Sequence, residues 1–289
     1  VTALSHGATL VLQERFDPAE ALRLVEEESV TVLYGMANMA RGLEAEADDL
    51  ARSLESVRRA QLLAPSTLQE RFETEYGVEK VVSGYGLTET CAICALASHE
   101  ERATVRHETV GRPLPNVDVR IVDPETDLEV PPGEQGEIRL RARTLFREYY
   151  GKPERTAAAF DNRGYFRTGD VGRLDPQGRL LFEGRYKDMI KTGGINVSPT
   201  EVENALEIHE AVREAVVVGV PDPEKDEVVA AAVRPAGGRE VDPGALRDYL
   251  RERLSSYKVP ETIAVWEEDF PRTDTGKVRK DAVEDELHG

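Results

Sequence analysis

The hydrophobic rhythm of this chain changes near residue 105, and that change limits its architecture more than any other feature. Before it, short β-branched runs alternate with helical stretches. "ATLVL" (8–12) reads as a short buried strand. "FDPAEALRLVEEES" follows as a helix, with Asp17 as N-cap, Pro18 at the first helical position and Glu20 three residues after the cap. "VTVLYG" (30–35) reads as the next strand, so residues 8–35 predict a βαβ unit. A strand near 57–63, a helix over "STLQERFETEY" with Ser66 as cap and Gln69 at the capping-box position, and the strand "VEKVVS" continue the pattern. Such alternation implies a parallel sheet with helices on its faces, and ligands of such sheets sit beyond the carboxyl ends of strands.

Beyond 105 the period is two. "VDVRIV" (117–122) and "GEIRLRAR" (136–143) alternate apolar and polar residues across the turn-rich "DPETDLEVPPGE", and "GRLLFEGR" (178–185) prolongs the pattern. This predicts antiparallel sheet, with a small barrel as its expected form. After 186 the rhythm is α+β. "SPTEVENALEI" is a helix capped by Ser198, with Pro199 at the first position and Glu201 completing the box. "REAVVVGV" and "EVVAAAVR" are strands, and "DPGALRDYLRERL" is a helix capped by Asp242 with Leu246, Leu250 and Leu254 on one stripe. "TIAVW" is a strand and "RKDAVEDEL" a terminal helix. The expected class is α/β plus α+β. Its expected divisions are a partial parallel α/β subdomain (1–104), an antiparallel β-barrel (105–186) and an α+β domain (187–289).

Composition narrows the function. A net charge of −18 speaks against a nucleic-acid-binding surface, which clusters Lys and Arg. Only 8 of the 37 basic residues are lysine, as in a high-salt adaptation or a solubility-favouring composition. No apolar run approaches the ~20 residues of a membrane span, and the N-terminal stretch has no signal-peptide pattern. The expected location is therefore the cytoplasm. Cys91 and Cys94 form one CxxC, half of what a tetrahedral zinc site needs, and they read as two packed thiols.

Four stretches rich in Gly, Thr and charge stand out: "SGYGLTET" (83–90), "GYFRTGD" (164–170), "GRYKDMIKTGGINVSPTEVE" (184–203) and "PRTDTGK" (271–277). Singly each reads as a turn, its glycines allowing positive φ and its Asp bonding local backbone. Together, in this order, they resemble the adenylate-forming superfamily of acyl-CoA synthetases, peptide-synthetase adenylation domains and luciferases. "VGRPLPNVDVRIVDPET", "PPGEQGEIRLR" and "HEAVREAVVVGVPDPE" extend the resemblance through essentially the whole chain.

The resemblance implies adenylation of a carboxylic acid by ATP with release of pyrophosphate, then acyl transfer to the thiol of coenzyme A. It implies Tyr85, Gly86 and Leu87 beside adenine and the acyl site, Thr88 on phosphate and Glu89 on Mg²⁺. It implies Asp170 on the ribose hydroxyls, Arg185 on ribose or phosphate, Phe182, Ala64 and Pro65 at the nucleotide, and Lys277 as catalytic lysine. Lys187 falls at the family's hinge, which makes the 187–289 domain mobile. Lys191, Gly193 and Gly194 fall on the loop that serves thioester formation. The implied small molecules are ATP or AMP, Mg²⁺, coenzyme A and a carboxylic acid.

Two departures accompany the resemblance. The family's Gly/Ser/Thr-rich phosphate loop has no counterpart in these residues, and the chain starts at Val1 almost in a strand, so it reads as a C-terminal portion. In "LLAPS" (62–66), Leu63 replaces a small residue, which works against close backbone approach to adenine. A peptide-synthetase adenylation domain and a non-catalytic split remnant of the fold are the competing readings.

Overall fold

Asp17 starts the first long helix as its local chemistry requires. Its carboxylate accepts the Glu20 N–H at 2.8 Å, and Pro18, which has no N–H to lose, follows at once. A computed structural model describes residues 2–47, 49–237, 239–273, 276 and 278–288. The chain falls into two compact units, 1–115 and 116–289.

The first unit runs α1 (Thr2–Ser5), α2 (Pro18–Glu27), β1 (Val32–Met36), α3 (Ala37–Glu46), α4 (Leu50–Ser53), β2 (Arg59–Leu63), α5 (Ser66–Thr74) and β3 (Lys80–Val82). It closes with β4 (Gly84–Leu87), β5 (Ala92–Leu96), α6 (Ala103–Glu108) and β6 (Arg112–Pro113). β1, β2 and β3 form the parallel sheet in that order, and β4, β5 and β6 a separate antiparallel one. Leu22, Val25, Leu43, Leu68 and Phe72 of the helices pack with Ala60, Leu62 and Val81 of the sheet in one core.

Local expectations hold less well here than in the second unit. Residues 8–12 form no strand, and Leu10 and Leu12 are 48% and 74% exposed. No described strand runs beside them to take a ladder, so 8–35 is not a βαβ unit. Ser66 is not a cap either. Pro65 occupies the N-cap and Ser66 the first helical position, while the Gln69 side chain donates back to the Ala64 carbonyl at 2.7 Å. Glu20 makes an ion pair with Arg23 at 2.6 Å.

A buried ion pair ties α5 to α6 and β3. Arg106 Nη2 lies 2.6 and 2.7 Å from the two oxygens of Glu73, His107 Nε2 lies 3.3 Å from one of them, and the Val81 N–H donates to the same carboxylate. Burial pushes the Glu73 carboxyl up, but Arg106, the Val81 N–H and His107 outweigh it and hold it below its ordinary range. A depressed folded value contributes stability above the unfolded pKa, and that contribution is lost as pH falls through the folded value. Glu73→Gln is therefore expected to narrow its stability deficit against wild type between pH 7 and pH 3, read from urea midpoints. A deficit independent of pH would contradict this account.

The second unit runs β7 (Val117–Val122), β8 (Gly136–Ala142), α7 (Pro153–Ala158), β9 (Phe166–Leu174), β10 (Leu180–Arg185), β11 (Ile190–Thr192), β12 (Ile195–Val197) and α8 (Pro199–Glu207). β13 (Val212–Asp222), β14 (Asp226–Pro235), α9 (Pro243–Arg251), β15 (Thr262–Val265) and α10 (Lys280–Leu287) complete it. The two-residue period delivers antiparallel strands as expected, but not a barrel. β10, β9, β8 and β7 form an open four-stranded sheet whose outer strands do not pair with each other. Four strands are too few for the tilt and stagger that closure demands.

β12, β11, β14 and β13 make the last sheet, with β15 parallel to β14. Its run "AVVV" is buried on both faces. Ala215 and Val217 meet α8 and α9 through Val202, Leu206, Leu246 and Leu250, while Val216 and Val218 cluster with Phe270, which precedes α10, and with Val283 of α10. Ser198 and Asp242 cap α8 and α9 as expected, accepting from the N–H groups of Glu201 and Gly244. The Glu201 carboxylate takes Lys258 Nζ at 2.7 Å. No described helix is long and apolar enough to cross a membrane.

Candidate active site

"SGYGLTET" is not a loop along its length. Gly84–Leu87 is strand β4, paired antiparallel with β5, and only Thr88–Thr90 turns, as a single 3-10 turn. The glycine at 86 answers to packing. A Cβ there would sit 1.9 Å from the Ala92 carbonyl oxygen and 2.8 Å from Ile93 Cα. Tyr85 is buried, with its carbonyl 3.4 Å from the Cys94 sulfur.

The two hydroxyls of "TET" have different tasks. Thr90 is 1% exposed, and its Oγ1 accepts the Leu87 N–H at 2.9 Å while its proton is shared between the carbonyls of Leu87 (2.8 Å) and Ala92 (2.6 Å). It clamps the turn. Thr88 is exposed and Glu89 half-buried on that clamped turn. The chain leaves it through Cys91 and Ala92, both with positive φ (+57° and +112°), a costly conformation for residues with a Cβ. Cys94 is packed as expected, whereas Cys91 is exposed, and no disulfide joins them. Ala64 and Pro65 follow β2, half-buried, with Leu63 as the last strand residue.

In the second unit "GYFRTGD" also becomes strand. Thr168, Gly169 and Asp170 lie in β9, and register sets Asp170 opposite Arg185 of β10. Arg185 Nε is 3.0 Å from Asp170 Oδ1; the Asp170 side chain is 2% exposed, that of Arg185 45%. The turn before Asp170 is held from below. Thr168 Oγ1 donates to the Ile138 carbonyl at 2.6 Å and accepts the Asp170 N–H at 3.0 Å, and Glu137 accepts the Gly169 N–H at 3.3 Å. Gly169 has φ +70°. Glu137 in turn takes Arg139 Nε at 2.8 Å, and Arg139, 1% exposed, also meets Asp127 at 2.6 Å and Asp161 at 3.3 Å. The sequence reading of "GEIRLR" as an alternating strand did not find this support; no local signal marks it. Phe182, 37% exposed, faces Gly172 across the ladder.

Lys187 lies in the 3-10 turn Tyr186–Asp188, well exposed, 3.8 Å from Asp188. Lys191 sits on the β11–β12 hairpin, its N–H donating to Glu227 at 2.7 Å. Gly193 and Gly194 make the hairpin turn with φ +55° and +79°, the two positive values a two-residue turn of this twist needs. Lys277 lies outside the described residues. The sites of Thr88 and Glu89 belong to the first unit, those of Asp170, Arg185 and the hairpin to the second.

A mixed α/β chain of small sheets with these motifs in this order is of the adenylate-forming class. The profile of the AMP-binding enzyme family matches residues 1–150, and that of the AMP-binding enzyme C-terminal domain matches 201–277. The chain belongs to the AMP-binding enzyme family. It is 36% identical over 285 residues to a feruloyl-CoA synthase of an Amycolatopsis species, covering 97% of this chain and 56% of that one. It resembles the structure of the amide bond synthetase McbA from Marinactinospora thermotolerans, with TM-score 0.88 and 35% identity over 98% of this chain and 57% of that one. It likewise resembles the o-succinylbenzoate CoA synthetase MenE of Bacillus subtilis in complex with its acyl-adenylate intermediate, with TM-score 0.80 and 31% identity over 97% and 56% of the two chains. The chain spans about half the length of the curated relatives it matches.

Proposed function

We propose that the protein carrying this chain is an acyl-CoA ligase, which adenylates a carboxylic acid with ATP, releases pyrophosphate and passes the acyl group to the thiol of coenzyme A. The observation that carries the reading is the buried Asp170 carboxylate set opposite Arg185 at a strand end. A carboxylate accepts both hydroxyls of a ribose diol, and the guanidinium that now engages it can move on to phosphate. Thr88 donates its hydroxyl to the α-phosphate from the clamped turn. In the first unit Tyr85, Gly86, Leu87, Ala64 and Pro65 are assigned to nucleotide binding, with Leu63 narrowing the approach to the base; in the second unit Phe182 has the same assignment.

Mg²⁺ neutralises phosphate charge when bound. Glu89 would hold the ion by its one carboxylate, together with substrate phosphates and water, the oxygen set Mg²⁺ favours. Lys277 stabilises charge on the attacking carboxylate and the α-phosphate in the transition state. Lys187 serves as the hinge of a mobile 187–289 domain, and Lys191, Gly193 and Gly194 serve the thioester half-reaction. We place the protein in the cytoplasm. An amine acceptor in place of the thiol is the second reading, favoured by the likeness to an amide bond synthetase.

The test is carboxylate-dependent pyrophosphate exchange by the full-length protein across aryl and fatty acids, with acyl-CoA or amide as product. Asp170→Ala is expected to raise KM for ATP about tenfold, since charge-assisted hydrogen bonds are lost. Absence of exchange with every acid, although ATP binds, would reject the ligase reading.

A further inference from the structure

We propose that Arg272, locked by the buried carboxylate of Glu214, is the positioning residue for Lys277. The inference deepens the ligase reading and rests on it, because Lys277 matters only if it serves adenylation.

Glu214 lies in β13 and is 3% exposed, an acid set among core valines. Arg272 Nη2 lies 2.8 and 2.7 Å from its two oxygens. Arg234, across the β13–β14 register, lies 3.5 Å from the same carboxylate and 2.5 Å from Asp269. So oriented, Arg272 reaches both residues that flank position 277. Its Nη1 donates to the Gly276 carbonyl at 3.2 Å, and its backbone bridges that of Val278. Around them the Arg279 N–H donates to the Pro271 carbonyl at 2.7 Å, and the Gly276 N–H to the Thr273 carbonyl at 2.8 Å. Gly276 has φ +80°. Val278 packs against the core cluster that includes Val216, Val218 and Phe270. One residue thus connects a buried acid and the residue before the lysine through its guanidinium, and the residue after the lysine through its backbone.

A plainer role is charge compensation, since a lone buried carboxylate is costly. The two roles part under substitution. Arg272→Lys keeps a cation for Glu214, but a single ammonium cannot hold the carboxylate and the Gly276 carbonyl together as a planar fork does. The pair Glu214→Gln with Arg272→Met removes the buried charge and the brace at once.

The experiment uses the full-length protein and both half-reactions, pyrophosphate exchange and coenzyme A attack on a supplied acyl-adenylate, with melting temperature as the folding control. Arg272→Lys and the double variant are each expected to melt near wild type. Each should lose about ten- to thirtyfold in kcat for adenylation, the scale of a misplaced catalytic group. KM for ATP and the rate of coenzyme A attack should stay within about threefold. Amide exchange at 276–279 should rise about tenfold. Full adenylation by Arg272→Lys, or equal losses in both half-reactions, overturns the positioning role. Wild-type adenylation by Lys277→Ala would instead remove the lysine's role, and this proposal with it.

Discussion

Lys277→Ala in the full-length protein is expected to slow acyl-adenylate formation by about 10²–10³-fold, the effect of deleting one preorganised charge donor at a reacting centre. The loss belongs in kcat, because the ammonium is proposed to oppose charge that concentrates in the transition state. Coenzyme A attack on a supplied acyl-adenylate should keep within about threefold of wild type. Lys191→Ala or Gly194→Ala should show the reverse split, because that hairpin is proposed to serve the second step. Gly194 stands at φ +79° with open space around it, so an alanine there strains the turn without a clash. Single-turnover measurement of each half-reaction reads both expectations. Equal losses in the two half-reactions, for either lysine, would end the assignment of Lys277 and Lys191 to separate half-reactions.

Gly86→Ala is expected to destabilise the first unit by about 3 kcal/mol, the upper end of what overpacking costs and a large share of a typical domain's stability. The reason lies in what the new methyl group would meet. All three atoms nearest to it, at 1.9, 2.6 and 2.8 Å, are backbone of Ala92 and Ile93, so no side chain can rotate aside. The β4–β5 ladder would have to part, next to a turn already strained at Cys91 and Ala92. Gly77→Ala is the control. Gly77 has φ +74° and nothing within 4 Å of its added Cβ, so only the backbone penalty of roughly 1–2 kcal/mol applies. Denaturant unfolding of the three proteins, with amide exchange over 84–96, compares them. If Gly86→Ala costs no more than Gly77→Ala, packing does not explain the glycine.

Much of this protein was legible because much of it is local. Asp17, Ser198 and Asp242, each followed by proline, start helices through hydrogen bonds that span no more than three residues. The alternation of 117–122 and 136–142 produced its strands for the same reason, since a period of two is a property of the segment itself. The order of the four motifs was legible too, and it carried the family. Partners distant in sequence decided the rest. Leu10 and Leu12 needed a neighbouring strand that the described residues do not provide. "SGYGL" and "RTGD" became strands because β5, β8 and β10 supplied ladders to them. Arg139 was drawn inward by Asp127, Glu137 and Asp161 together, against its own alternation. The pair that buries Glu214 against Arg272 spans 58 residues, and no pattern of neighbours in the chain announces it. A buried charge is tolerated only where folding delivers its counter-charge, so its position is a property of the packed fold alone.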